Sequence, residues 1–214
     1  MLVLGLNTAF ATMEAALVRD GEIVADLREE MPRGQERRLP GLVAELLASA
    51  DITLADLDRI GVVTGPGSFT GLRIGVAYVR GLALVTGAKA VGITSLEAAI
   101  PAGLEGPALG CLAAQRRPPE QTWWVQGVSD GEGIADVMEV ALADLLPMLT
   151  GFHAPVFMDG HEALGELAAK LDLRPLHPSA ITAALKASLF DPAKHPPAPV
   201  YARAPDATLP TKRN

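Results

Sequence analysis

The stretch TGPGSFTGLRIG, residues 64–75, constrains this chain more than any other. It follows a short β-type run, RIGVV at 59–63, and opens a long apolar segment that keeps helical spacing to about residue 86. A strand that turns through Gly-Pro-Gly straight into a helix is an α/β junction. Such junctions often hold phosphates on the first amides of the helix, so known phosphate loops are the first comparison. A Walker A loop needs four residues between its glycines and then a lysine. Here five residues separate Gly65 from Gly71, and Leu72 follows. Gly65, Gly67 and Gly71 are one residue too widely spaced for the dinucleotide fingerprint. Ser68 is flanked by Pro66 and Thr70, not by the glycines of a nucleophile elbow. Ser68 therefore reads as a helix N-cap, with Thr70 the alternative. Gly65, Pro66, Gly67, Ser68, Phe69 and Thr70 form the loop and cap of the helix.

The helix carries two apolar stripes, one of Leu72, Val76, Val79 and Ala83, the other of Gly71, Gly75, Tyr78, Leu82 and Val85. Only Arg73 and Arg80 are charged on it. A helix apolar nearly all round is buried on more than one side. Glycine inside a helix costs about 1 kcal/mol relative to alanine, so Gly71 and Gly75 imply a close approach by something. Two readings stay open. The helix predicted over 35–50 fills the gap, or both helices present a groove to a second protein. That earlier helix has the stripe Leu39, Leu42, Val43, Leu46, Leu47 and Ala50, with Gly41, Ala44 and Ala48 on its flank. The groove reading assigns an interface to Leu39, Leu42, Val43, Leu46, Gly71, Leu72, Gly75, Val79 and Leu82. It predicts that Gly75→Arg stays folded and loses the partner.

Around this junction the order is strand 2–7, a hairpin of 13–19 and 22–30 about Asp20-Gly21, helix 35–50, strand 59–63, helix to 86 and strand 89–93. That is a ribonuclease-H-like layout, a mixed sheet covered by helices. Later spacing predicts strands at 108–114 and 122–128, helix 139–149, strand 155–158, helix 160–171 and helix 179–189. Gly103, Gly106 and Pro107 mark a boundary, giving lobes 1–102 and 103–214. Pro192, Pro196, Pro197, Pro199, Pro205 and Pro210 predict an extended tail that frays after about 206.

Chemistry is sparse. The net charge of −7 gives no electrostatic footprint for nucleic acid beyond the pairs Arg37-Arg38 and Arg116-Arg117. The single cysteine, Cys111, forms no internal disulfide, which fits a reducing cytoplasm. The opening MLVLGL has no basic residue before it and reads as a buried strand, and the apolar stretch 72–86 carries Arg73 and Arg80, so no membrane span is expected. His153, His161, His177 and His195 show no H-x-x-x-H spacing, so no metal site and no catalytic residue is assigned.

The loop and its neighbours resemble one family. GPGSFTGLRIG is similar to the signature of the TsaB family, also called YeaZ. LGLN, the Asp20-Gly21 hairpin, LPGLVAELLASA, VGITSLEAA and PVYARAPDA agree with it. The likeness is strong over 1–100 and looser beyond. It implies an actin, Hsp70 and sugar-kinase superfamily fold of two lobes. It implies a non-catalytic subunit of the machinery that makes threonylcarbamoyladenosine in transfer RNA, beside a catalytic partner, TsaD, and an ATPase, TsaE. It further implies a homodimer without TsaD, transfer RNA met only through the complex, and no cofactor held by this chain alone, with ATP or ADP confined to a partner interface. Two positions depart from the pattern. The first strand ends Asn7-Thr8-Ala9 where many relatives have aspartate, and Ala113-Ala114-Gln115-Arg116 lacks the aspartate of an Asp-Ala-Arg. The Pro118-Pro119 pair that follows implies a remodelled second lobe. A degenerate superfamily kinase, a glycoprotease-like hydrolase and a self-contained homodimer of unrelated role are the alternatives.

Overall fold

The computed structural model describes residues 1–114 and 121–201. Strands β1 (Leu2–Asn7), β2 (Thr12–Arg19) and β3 (Glu22–Glu30) form an antiparallel meander. Asp20 and Gly21 both adopt positive φ, 52° and 87°, as a two-residue hairpin turn of matching twist requires. Helix α1 (Gln35–Ser49) leads to β4 (Arg59–Gly65), α2 (Phe69–Thr86) and β5 (Lys89–Thr94). The sheet order is β3-β2-β1-β4-β5, with β4 parallel to both β1 and β5. Every residue of β1 is buried, because both faces of the sheet are covered. Leu2, Leu4 and Leu6 point to a core shared with Leu39, Leu42, Leu46, Val76 and Val79 of α1 and α2. Val3 points to the opposite side, into a core with Val63, Val91, Ala183, Ala184 and Ala187.

The second sheet has the order β11-β10-β6-β7-β8, with β9 on β7. Its strands are β6 (Pro107–Ala113), β7 (Thr122–Ser129), β8 (Glu132–Gly133), β9 (Met138–Ala141), β10 (Val156–Met158) and β11 (Leu173–Pro175). Two mixed sheets with covering helices make the fold ribonuclease-H-like, as the element order predicts. The details differ in places. The helix expected over 139–149 begins as β9, where Val140 pairs with Trp123, and only α3 (Leu142–Leu149) is helical. The helix expected over 160–171 is a set of 3-10 turns, His161–Lys170, interrupted at Gly165 with φ 55°. Tail residues after 201 and the pair Pro118-Pro119 lie outside the described residues.

The boundary between 1–102 and 103–214 is crossed in space. Helix α4 (Ala180–Leu189) crosses back and packs on β1, β2 and β4 of the first sheet. It sits so close that a Cβ at Gly5 would lie 2.1 Å from the Ala180 carbonyl oxygen, and one at Gly61 would lie 2.6 Å from that of Ala183. Gly5 and Gly61 are therefore the floor under an alanine-faced helix. The first lobe is completed by residues that the sequence order assigns to the second.

Lys186 of α4 is fully buried and donates from Nζ to the Gly131 carbonyl at 2.5 Å. Burial pushes its ammonium down to about 8, against the pull of the Glu97 carboxylate, from 10.5 in the free side chain. Between those values the unfolded chain holds a proton that the folded chain has released. The cost of burying the charge is thus fully present below pH 8 and lifts as pH rises toward 10.5. The full span is on the order of 3 kcal/mol. Urea unfolding from pH 7.5 to 10 should show this rise in the wild-type protein, and Lys186→Met should flatten it. Equal slopes in the two proteins would contradict the assignment.

Candidate functional site

The loop after β4 is tied to its own chain. The Ser68 amide donates to the Ala9 carbonyl at 2.7 Å, and Ser95 donates from N to Gly65 O and from Oγ to Pro66 O, each at 2.7 Å. Ser68 is the N-cap of α2, its Oγ accepting from the Gly71 amide at 3.3 Å, so the cap is Ser68 and Thr70 is helical. A Cβ at Gly67 would stand 2.6 Å from Ala9 O. The loop thus packs on the β1–β2 connection where a phosphate would otherwise sit.

The cleft beside that connection holds about 390 Å³ and is lined by Asn7, Phe10, Thr12, Glu14, Arg28 and His177, among others. Asn7 is buried and engaged: Oδ1 accepts from Ala9 N at 3.1 Å, and Nδ2 donates to Pro178 O at 3.1 Å and to Glu14 Oε2 at 3.4 Å. Glu14 Oε2 also accepts from Ala180 N at 3.0 Å, the first amide of α4. A helix N-terminus attracts anions, and here the chain supplies its own. An incoming phosphate would meet the Glu14 carboxylate, not free amides. Among the described residues no three His, Cys, Asp or Glu side chains come together as a metal requires. Cys111 is buried at β6 and its thiol is pushed up to about 12 by burial and Asp159, far from a nucleophile.

The predicted interface residues lie mostly on the inside. Leu39, Leu42, Val43 and Leu46 of α1 and Leu72 and Val79 of α2 are buried in this chain's own cores. Leu82 is half-buried. Gly71 and Gly75 turn first to Thr8, with Gln35 at the head of α1 the next neighbour of Gly71. A Cβ at Gly71 would lie 1.9 Å from Thr8 O, and one at Gly75 would lie 2.4 Å from Thr8 Oγ1. The close approach that these glycines imply is made by Thr8 at the end of β1. A helix lying on a sheet turns its strongest apolar stripe to that sheet, and stripe hydrophobicity alone does not tell an inner face from a docking face.

The outer face is a different set. On α2, Ala77, Gly81, Leu84 and Val85 are exposed, with Ile74 and Tyr78 half-buried, all within reach at three- and four-residue spacing. Leu84 and Val85 are 87% and 85% exposed. On α1, beside it, Pro40, Ala44 and Ala48 are exposed and Gly41 is half-buried. Nothing lies within 4 Å of a Cβ placed on Gly81. The two charges of α2 are drawn aside: Arg80 Nε donates to Pro197 O at 2.8 Å, and Arg73 Nε to the Tyr201 hydroxyl at 3.1 Å. Arg38 of α1 is held by Glu29 and Glu45. Between these charges and the exposed Arg37 runs a strip of small and aliphatic side chains. Its one sequence signal is the flank of Gly41, Ala44 and Ala48, which repeats on α2 as Ala77 and Gly81. By length and composition α2 would also cross a membrane, but Gly71, Leu72, Gly75, Val76 and Val79 pack inside the protein.

This two-lobed arrangement defines an actin-like, ribonuclease-H-like protein. A solved YeaZ from Pseudomonas aeruginosa matches it with a TM-score of 0.66 at 22% identity, covering 94% of this chain and 99% of that one. A family model described as "TsaD: tRNA N6-adenosine threonylcarbamoyltransferase" matches residues 29–142. The chain is 32% identical to the "tRNA threonylcarbamoyladenosine biosynthesis protein TsaB" of Escherichia coli (strain K12) over 135 residues, 63% of this chain and 58% of that protein. It is 33% identical over 209 residues to an uncharacterized protein of Mycobacterium tuberculosis (strain H37Rv), 96% of this chain and 93% of that one. The chain belongs to the TsaB (YeaZ) family. It spans only 38% of the threonylcarbamoyltransferase of Lawsonia intracellularis that it also matches.

The contacts of Gly75 overturn the expectation that Gly75→Arg stays folded. The guanidinium would have to displace Thr8 from a closed core, and the variant should show no cooperative melting transition. Gly81→Arg should melt within a few degrees of the wild type, because its side chain enters open solvent. Circular dichroism on both variants checks this pair. Ser68→Ala should lower stability by about 1 kcal/mol through loss of the cap, read as a shift in the urea midpoint.

Proposed function

We propose that this chain is a non-catalytic subunit of the machinery that forms threonylcarbamoyladenosine in transfer RNA. In this reading it docks on the catalytic subunit TsaD through the exposed face of α1 and α2. The observation that carries the reading is that face: a strip of small and aliphatic residues, left open by the chain's own packing. Family membership supports the pathway, and the closed cleft supports the absence of catalysis. With Asn7 neutral and Glu14 at the first amide of α4, the cleft offers a nucleotide no paired carboxylates and no free helix terminus.

Two helices meeting two from TsaD would bury about 800 Å² per partner, a standard interface. Without TsaD the same face closes on a second copy of the chain. TsaE joins the pair, ATP or ADP is held at the partner interface and not by this chain alone, and the assembly works in the cytoplasm. The isolated chain binds transfer RNA weakly, since its net charge of −7 leaves few phosphates to neutralise.

The test is copurification with TsaD followed by a transfer-RNA modification assay with all subunits. Wild-type protein should copurify and support modification, and Gly81→Arg should lose both while remaining folded. A folded Gly81→Arg that binds TsaD at wild-type affinity would remove the face from the reading. Asn7→Asp separates the kinase alternative. The new carboxylate would stand where Nδ2 now meets Glu14 at 3.4 Å, so it adds repulsion and no phosphate site. Metal-dependent ATP turnover by that variant alone would favour the kinase reading.

A further inference from the structure

Three successive residues of one second-lobe turn are gripped by three different elements outside its own sheet. The turn is Asp130-Gly131 between β7 and β8, at φ 53° and 81°, taken together with the two residues of β8, Glu132 and Gly133. The Gly131 carbonyl accepts from Lys186 Nζ of α4 at 2.5 Å. The Glu132 carboxylate lies 3.0 Å from His195 Nε2, in the segment that follows α4. The Gly133 amide donates at 2.8 Å to Glu97 Oε1, in the 3-10 turn after β5. Each grip is anchored again in the first lobe. Glu97 Oε2 accepts from Thr94 N at 2.7 Å, and the His195 carbonyl accepts from Gly92 N at 2.9 Å, both on β5. The His195 ring lies against Phe190 with centroids 4.4 Å apart.

We propose that this turn is a clasp that locks the two lobes into one rigid body and fixes the width of the cleft beside it. That cleft, about 600 Å³, is lined by Thr94, Gln126, Ile134, His195 and Pro199, among others. Two-lobed folds of this kind commonly swing about a hinge when a ligand binds between the lobes. Here the grips resist any such swing. Lys186 and Glu97 are 0% and 3% exposed. Parting the lobes takes the turn away from both, and a buried charge without its partners is costly. The contacts therefore release together or not at all. The consequence is a protein whose lobes keep one mutual orientation without ligand, so that whatever binds one lobe finds the other in a fixed place.

The experiment uses the full chain with spin labels at two exposed positions, Glu22→Cys on β3 and Asp144→Cys on α3. The native Cys111 is buried with its thiol pushed up to about 12, and it will not take the label. Pulsed dipolar spectroscopy should give one narrow distance for the labelled protein. Lys186→Met with Glu97→Gln should add a second, longer distance. Leu145→Ala, which opens a hole in the second lobe's core away from the clasp, should keep the single narrow one. A folded clasp variant with an unchanged narrow distribution would overturn the proposal, as would broadening in Leu145→Ala alone. A surface arm decides the matter if the buried variant fails to fold. Glu132→Ala removes a half-exposed side chain, leaves the His195 ring on Phe190 and should speed hydrogen exchange at the Gly133 and Thr94 amides about tenfold. Those amides bond to Glu97 and not to the substituted side chain, so their unchanged protection would also overturn the clasp.

Discussion

Thr8 holds this structure together at its narrowest point. It is fully buried at the end of β1, and its hydroxyl donates to the Gly71 carbonyl at 2.7 Å. Its own backbone and side chain occupy the space that Cβ atoms on Gly71 and Gly75 would fill. The contact clamps the first two turns of α2 to the central strand of the sheet, and other features follow from it. Ser68 is brought beside Ala9, Gln35 at the head of α1 reaches the Phe10 carbonyl at 2.8 Å, and the loop closes over the β1–β2 connection. Two glycines inside a helix sacrifice about 1 kcal/mol each in propensity. The tight seat of Thr8 is what offsets that loss.

With α2 seated this way, the loop is tied to its own chain through Ala9 and Ser95. Its carbonyls and amides serve the protein's own packing. The neighbouring cleft is treated similarly: Glu14 sits where an anion would bind, and Asn7 is engaged on both sides of its amide. The fold places two lobes around a cleft, and the polar groups of Asn7 and Glu14 there make structural bonds. The opposite face of α1 and α2 is left open, with Arg73 and Arg80 at its border hydrogen-bonded to the segment running from Pro197 to Tyr201.

Much of the first lobe was legible in the sequence, since its signals are local. The Asp20-Gly21 turn, the helical spacing of 35–50 and the cap at Ser68 each act within a few residues. The second lobe was less so. Met138 to Ala141 pair with β7, a contact across more than ten residues of chain that helical-looking spacing conceals. The site itself was half legible. The spacing marks α1 and α2 as apolar helices, but it does not tell which stripe faces the sheet, and Leu39, Leu42, Val43, Leu46, Leu72 and Val79 lie in the chain's own cores. Gly71 and Gly75 do mark a close approach, yet nothing in their spacing names Thr8, 63 residues from Gly71, as what approaches. Gly5 and Gly61 were unread for the same reason, because their partner α4 lies more than a hundred residues downstream.

The return of α4 has a bearing on synthesis. A ribosome making this chain delivers β1 through β5 early, but the apolar floor across Val3, Gly5 and Gly61 stays uncovered until residues 180–189 emerge. At about 5–20 residues per second, the 85 residues between Thr94 and Ala180 take several seconds to appear. Throughout that interval the nascent first sheet has one dry face and one open face. Exposed apolar surface of that kind is prone to aggregate, and a chain released before α4 would keep the open face.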